Sequence, residues 1–192
     1  MELQSGRAPY AFKWKDFWFS SDTIIVEMTH LKNKKIIDQV RERYSDFDVY
    51  CEHLLRRSYS IDSMVIFPVH KNSMNQRRGT NLRIADRWDL TLECIRRHYV
   101  GEESPLSKVI EGDKAFYDLF VDFKGYVDFF LMQDCVSAEY SSVDIWMGDA
   151  SFKKNGLPET VEDYFEFLGK EHVLLDKRNA RLQEYCINYN LL

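Results

Sequence analysis

The sequence predicts an α+β fold: a small antiparallel sheet from the N-terminal half packed against a mainly helical C-terminal half. Two observations carry this. Aromatic and β-branched segments cluster before residue 30 and return at 63–67, whereas beyond Pro68 the apolar residues recur at helical spacing. A third sets the scale: 192 residues that are 45% hydrophobic and 15% aromatic suit one domain over 1–192 with a sizeable core.

Tyr10–Trp14 and Phe17–Ser20 read as strands joined by a tight turn at Lys15-Asp16, and Thr23–Met28 as a central strand. Leu31–Tyr44 carries Ile36, Ile37, Val40 and Tyr44 on one helical face, and Asp46–Arg57 does the same with Phe47, Tyr50, Leu54 and Leu55. Ser63–Phe67 is a strand that Pro68 ends. A polar loop follows over 69–83, then a helix over 85–99 that stops before Gly101. Ser104-Pro105 starts another helix, with the serine as N-cap. Residues 113–136 form a helical hairpin, or one helix interrupted at Gly125. Val143–Met147 is a late strand that joins the sheet, Pro158 to about Leu168 is a helix, and Glu171–Tyr189 is the last one.

Composition excludes several classes. No apolar run is long enough for a membrane span, and the first residues lack a signal-peptide pattern, so a cytoplasmic protein without membrane attachment is expected. Cys51, Cys94, Cys135 and Cys186 are too far apart for a zinc knuckle and read as reduced thiols. There is no phosphate-binding Gly-x-x-x-x-Gly-Lys-Ser/Thr loop, dinucleotide Gly-x-Gly-x-x-Gly or Gly-x-Ser-x-Gly elbow. The five histidines are not paired at ligand spacing. No cofactor motif is evident.

The net charge of −5 is unevenly spread. Residues 71–97 hold seven basic and three acidic side chains, whereas 101–170 hold six basic and fifteen acidic. A basic island of this kind can meet a polyanion, and the acidic stretch can meet a basic partner. The island contains the one block that points to chemistry. Asp86, Asp89 and Glu93 fall on one face of the helix over 85–99, with Arg97 beside them and Arg96 at the edge. Three carboxylates one turn apart have the oxygens to share a divalent cation such as Mg²⁺, or to move protons as a general acid and base. Asn75, Gln76, Arg77, Arg78 and Asn81, with Arg87 and Arg96, are the matching donors for a substrate phosphate, and Gly79 lets the backbone come close. The competing account makes the same residues a structural network in which the arginines tie the carboxylates and backbone carbonyls.

The stretch Phe67-Pro68, Asn75-Gln76-x-Arg78-Gly79, Asp86-Arg87-x-Asp89-Leu90-Thr91-Leu92-Glu93-Cys94-Ile95-Arg96-Arg97 and Ser104-Pro105-Leu106 resembles a bacterial family of unknown function. The likeness continues through Leu119–Phe130 and Gln133-Asp134 to Arg178-Asn179-x-Arg181, so it spans most of residues 63–181. It implies no activity, and the N-terminal segment departs from the pattern. Two functions therefore stand as expectations. One is action on nucleic acid by a metal-assisted RNA-cleaving site. The other is a non-enzymatic acidic inhibitor that occupies the basic channel of a nucleic-acid-handling defence complex, in the manner of an anti-CRISPR protein.

Overall fold

Short aromatic strands need a partner to cover them, and here they find it in one another and in the helices that follow. The computed structural model describes residues 2–3, 12–14, 16–25, 34–69, 73–74, 77–78, 84–150, 152 and 158–191. The sheet is antiparallel in the order β1 (Glu2–Leu3), β2 (Phe12–Trp14), β3 (Phe17–Thr23), β4 (Met64–Pro68). Its register pairs Phe12 with Phe19, Trp14 with Phe17, and Thr23 with Met64. Two helices, α1 (Lys34–Arg43) and α2 (Phe47–Arg57), fill the crossover between β3 and β4.

The remaining helices are α3 (Trp88–Tyr99), α4 (Ser107–Gly112), α5 (Lys114–Tyr117), α6 (Phe123–Phe129) and α7 (Val161–Asn188). The fold is thus α+β, and one apolar cluster runs through both halves from Phe19 to Leu175. Phe19 meets Phe116 with ring centroids 5.6 Å apart, and Phe67 meets Trp88 at 6.4 Å, which seats the sheet on α5 and α3. Trp88, Leu92 and Ile95 line this core, but Leu90, Thr91 and Cys94 are buried too. Helix α3 is therefore enclosed on nearly all sides over its first two turns. Leu92 is fully buried, so Leu92→Ala is expected to destabilise the fold by about 2–5 kcal/mol, read by chemical denaturation.

Several boundaries differ from the sequence reading. The strand expected over 23–28 does not form as such: β3 runs on to Thr23 and ends there, and residues 26–30 lie outside the described residues. Helix α3 begins at Trp88 because Arg87, the residue before it, is extended, with φ −122° and ψ 133°. Ser104-Pro105 sits in a turn, and α4 starts later, at Ser107. Val143–Met147 adds no strand. Val143 makes a lone antiparallel bridge to Val136, and the backbone N–H of Trp146 is directed to Asp89 instead. The two C-terminal helices are one. Thr160 and Asp163 cap each other's backbone at its start, and Gly169 does not break the 28-residue run.

The hairpin over 113–136 breaks into short pieces for a local reason. Val121 has φ +70° and ψ −53°, and the Asp122 N–H donates to the Phe120 carbonyl at 2.8 Å, which makes a γ-turn of the strained hand on a β-branched residue. Asp122 then caps α6 through the Gly125 N–H at 2.7 Å. The Phe120 carbonyl lies so close over Gly125 that no Cβ could fit there. The turn therefore demands glycine at 125.

Arg178 of α7 ties the halves together. Its buried guanidinium donates to the carbonyls of Asp62 (2.6 Å), Phe130 (2.9 Å) and Ile61 (3.3 Å). Burial pulls this arginine below its ordinary pKa range, down to about 10. None of the four cysteines is in a disulfide, and no helix among the described residues is long and apolar enough to cross a membrane.

Candidate functional site

The polar block resolves into three separate clusters rather than one converging set. The first joins the loop to the sheet. Arg78 is buried and donates to Asp22 of β3, which accepts, and to the Thr91 hydroxyl of α3 at 3.2 Å; its guanidinium lies 5.3 Å from the Phe67 ring centroid. Asp86 stands 3.6 Å from the same guanidinium nitrogen, with its side chain exposed. Burial lifts the Asp22 carboxyl above the ordinary aspartate range, the Asp86 charge adds to this, and Arg78 opposes it.

The second cluster is sealed. Asp89 is fully buried. Arg87 donates to both of its oxygens, through Nε at 3.1 Å and through a terminal nitrogen, and the Trp146 N–H adds a bond at 2.9 Å. Arg87 also donates to the Met147 carbonyl at 2.9 Å and packs 5.6 Å from the Phe167 ring centroid. This pair draws residues 146–147 onto α3, which is why they do not join the sheet.

The third cluster lies at the end of α3. Glu93 accepts two bonds from Arg96, at 2.7 and 3.0 Å, and one from Arg97 at 2.8 Å. Arg96 reaches on to Glu102 at 3.1 Å, and Arg97 to the Ala150 carbonyl at 3.2 Å and over the Phe152 ring. Burial pushes the Glu93 carboxyl up, but the bonds from Arg96 and Arg97 outweigh it and hold the group below the ordinary glutamate range. A depressed carboxylate stabilises the fold above its unfolded value, and that contribution is lost as pH falls from about 4.5 through the folded value. Glu93→Gln is therefore expected to lower stability at neutral pH and to flatten the acid limb of a melting-temperature profile below pH 4.5.

Asp86, Asp89 and Glu93 therefore do not form the expected stripe on one helical face: Asp86 precedes α3 and is exposed, whereas Asp89 and Glu93 are buried in separate ion pairs. Among the described residues, no three or more His, Cys, Asp or Glu side chains are grouped to hold a metal ion. Of the expected phosphate donors, Arg78, Arg87 and Arg96 are each engaged by a carboxylate, Arg77 is half-buried, and Asn75, Gln76 and Asn81 lie outside the described residues. Cys94 is fully buried, and this burial pushes its thiol up to about 12, away from the thiolate a nucleophile needs.

Sequence reasoning missed Asp22 as the partner of Arg78. It lies 56 residues away in a strand, and no spacing rule connects a strand carboxylate to a distant loop arginine. It also missed the carbonyl-binding role of Arg178, which only the resemblance had singled out.

A family model described as a family of unknown function (DUF6994) matches residues 1–182. The matched residues include the N-terminal strands. No curated protein matches, and no solved structure matches.

Proposed function

This chain belongs to that family of unknown function, and from this premise we propose that it is a non-enzymatic binding protein whose acidic outer face engages a basic surface of a nucleic-acid-handling complex. One observation carries the reading: the arginines and carboxylates of the polar block neutralise each other inside the fold. A cleaving site needs carboxylates with open coordination positions and arginines available to a phosphate. Here Arg78, Arg87, Arg96 and Arg97 are each engaged by a carboxylate, and of the three expected carboxylates only Asp86 is exposed.

The charge left at the surface is acidic. Glu103, Glu111, Asp118, Asp122 and Glu139 are exposed in the stretch that carries the excess of fifteen acids over six bases. Exposed Val121 and Phe129 sit within this acidic segment and supply apolar area of the kind a stable contact needs. Such a face mimics a phosphate backbone and competes for a basic channel.

The test is paired. Purified protein is incubated with labelled RNA and DNA in Mg²⁺, Mn²⁺ or EDTA, and separately with a nucleic-acid-handling complex already loaded with its nucleic acid. The expected result is no cleavage, together with displacement of the nucleic acid that weakens as salt rises. The triple variant Glu103→Lys, Glu111→Lys, Glu139→Lys should lose the displacement. Arg78→Ala and Glu93→Gln should melt earlier yet retain displacement per folded molecule. Cleavage by the wild type that vanishes in variants of normal melting behaviour would overturn this reading.

The cleaving alternative is favoured by one feature, the Asp22 and Asp86 carboxylates reaching the same nitrogen of Arg78 with Asp22 raised. A raised carboxyl beside an exposed one can act as acid and base on a nucleic acid. Asp86→Asn, which leaves the Asp22–Arg78 pair in place, would then abolish cleavage without lowering the melting temperature.

A further inference from the structure

A groove of about 310 Å³ lies between the α1–α2 connection and α7, far in sequence from the polar block. That volume is at the small end of ligand pockets. Two tilted ring pairs bracket it. Tyr44 and Phe165 have centroids 4.6 Å apart, and Tyr50 and His172 have centroids 5.3 Å apart, with the Tyr50 hydroxyl hydrogen-bonded to His172 Nε2. Phe47 and Leu168 form the apolar floor, and Asp46 stands exposed at the rim.

Gly169 faces the space between the ring pairs, one turn beyond Phe165 and about one turn before His172. It sits inside a long helix, where glycine is unfavourable relative to alanine. A Cβ at this position would meet nothing within 4 Å, so backbone packing does not require glycine. What its missing side chain does is leave the groove open.

The charge at the groove selects the ligand. Arg41 and Arg43 of α1 and Arg57 of α2 do not line the groove and are each held by a carboxylate, Asp48 at 3.0 Å, Glu162 at 2.9 Å and Asp176 at 2.7 Å, with the Arg43 guanidinium also 5.7 Å from the Tyr44 ring centroid. Asp46 forms no ion pair with any described residue. Burial lowers the His172 pKa, with the Arg57 charge adding and Asp176 opposing, so the imidazole is neutral at pH 7 and does not repel a cation. Electron-rich ring faces with one rim carboxylate suit alkylated ammonium groups. A neutral ligand would leave Asp46 desolvated without compensation, and an anion would be repelled.

We propose that this groove is a binding site for a small free alkylammonium cation, held by Tyr44, Tyr50 and Phe165 and by the Asp46 carboxylate, in the space that Gly169 leaves empty. The proposal is independent of the acidic-face reading, since it uses other residues.

The test uses the full chain and isothermal titration with choline, tetramethylammonium and 3,3-dimethylbutan-1-ol, the uncharged isostere of choline. Both cations are expected to bind saturably, choline at least tenfold more tightly than the isostere. Asp46→Asn should remove most of that preference. Gly169→Leu should weaken choline binding tenfold or more, because its side chain occupies the groove, while its melting temperature stays within a few degrees of wild type. Gly169→Ala, which adds one methyl and favours the helix, should melt no lower and retain more of the binding than Gly169→Leu. Absence of saturable choline binding, equal affinity for the isostere, or unchanged binding in a folded Gly169→Leu variant would each overturn the assignment.

Discussion

Asparagine in place of Asp89 is expected to destabilise the protein by about 3–5 kcal/mol, the range for breaking a buried ion pair from one side. The two side chains have nearly the same shape, so the loss isolates the charge and the acceptor pattern. Both Asp89 oxygens accept: one from Arg87 Nε, the other from an Arg87 terminal nitrogen and the Trp146 N–H. Asparagine supplies one oxygen and one NH₂, and in either orientation the NH₂ faces a donor. Arg87, buried beneath residues 146–147, would keep the Met147 carbonyl but lose its counter-charge. Urea unfolding followed by far-ultraviolet circular dichroism measures the loss. A double variant, Arg87→Met with Asp89→Leu, should recover much of it, since a well-packed apolar pair often matches a buried ionic one. Failure of Asp89→Asn to destabilise by even 1 kcal/mol would mean that the pair is open to solvent.

The second large effect is expected at Gly125. Alanine there would drive its methyl into the Phe120 carbonyl, a backbone atom that cannot rotate aside. Either the γ-turn at Val121 opens or α6 shifts along its axis. Both options disturb Phe120, Tyr126 and Phe130, whose rings pack at centroid distances of 4.8–5.6 Å. A loss of about 3 kcal/mol is expected, at the upper end of overpacking costs. Thermal unfolding with Val121→Gly as a companion separates the causes. Val121→Gly relieves the positive φ and should be neutral or stabilising, whereas Gly125→Ala should be damaging in either background.

What was legible in the sequence was whatever depends on local periodicity. The apolar spacing of Ile36, Ile37 and Val40 marks α1, that of Trp88, Leu92 and Ile95 places the inner face of α3, and the helix expected from Pro158 begins three residues later as α7. What failed depends on contacts distant along the chain. Val143–Met147 has the composition of a strand, but its hydrogen-bonding capacity is drawn to Asp89, 57 residues away. Of the three carboxylates expected on one helical face, Asp89 and Glu93 do lie on α3, whereas Asp86 precedes it. Their meaning lay in which arginine reaches which oxygen, and side-chain reach cannot be read from spacing. Asp22 shows this most clearly, because a polar residue at the end of an aromatic strand carries no signal that a loop arginine will close onto it. Gly169 misled in the opposite direction: the expected helices ended at about Leu168 and resumed at Glu171, whereas α7 runs through this glycine, and only the space beside it distinguishes it.

The three carbonyls held by Arg178 have a consequence for how the molecule comes apart. Ile61 and Asp62 lie just before β4, in the N-terminal half, and Phe130 lies just after α6, in the helical half. A chain with a small sheet at one end and helices at the other could melt in two stages, the sheet first. Here one guanidinium on α7 is shared by both parts, and neither can leave without stranding a buried charge among unpaired carbonyls. Unfolding is therefore expected to be all-or-none, with a calorimetric enthalpy equal to the van't Hoff value. In an Arg178→Met chain the shared bond is gone, and the two enthalpies should part as the halves begin to melt on their own terms.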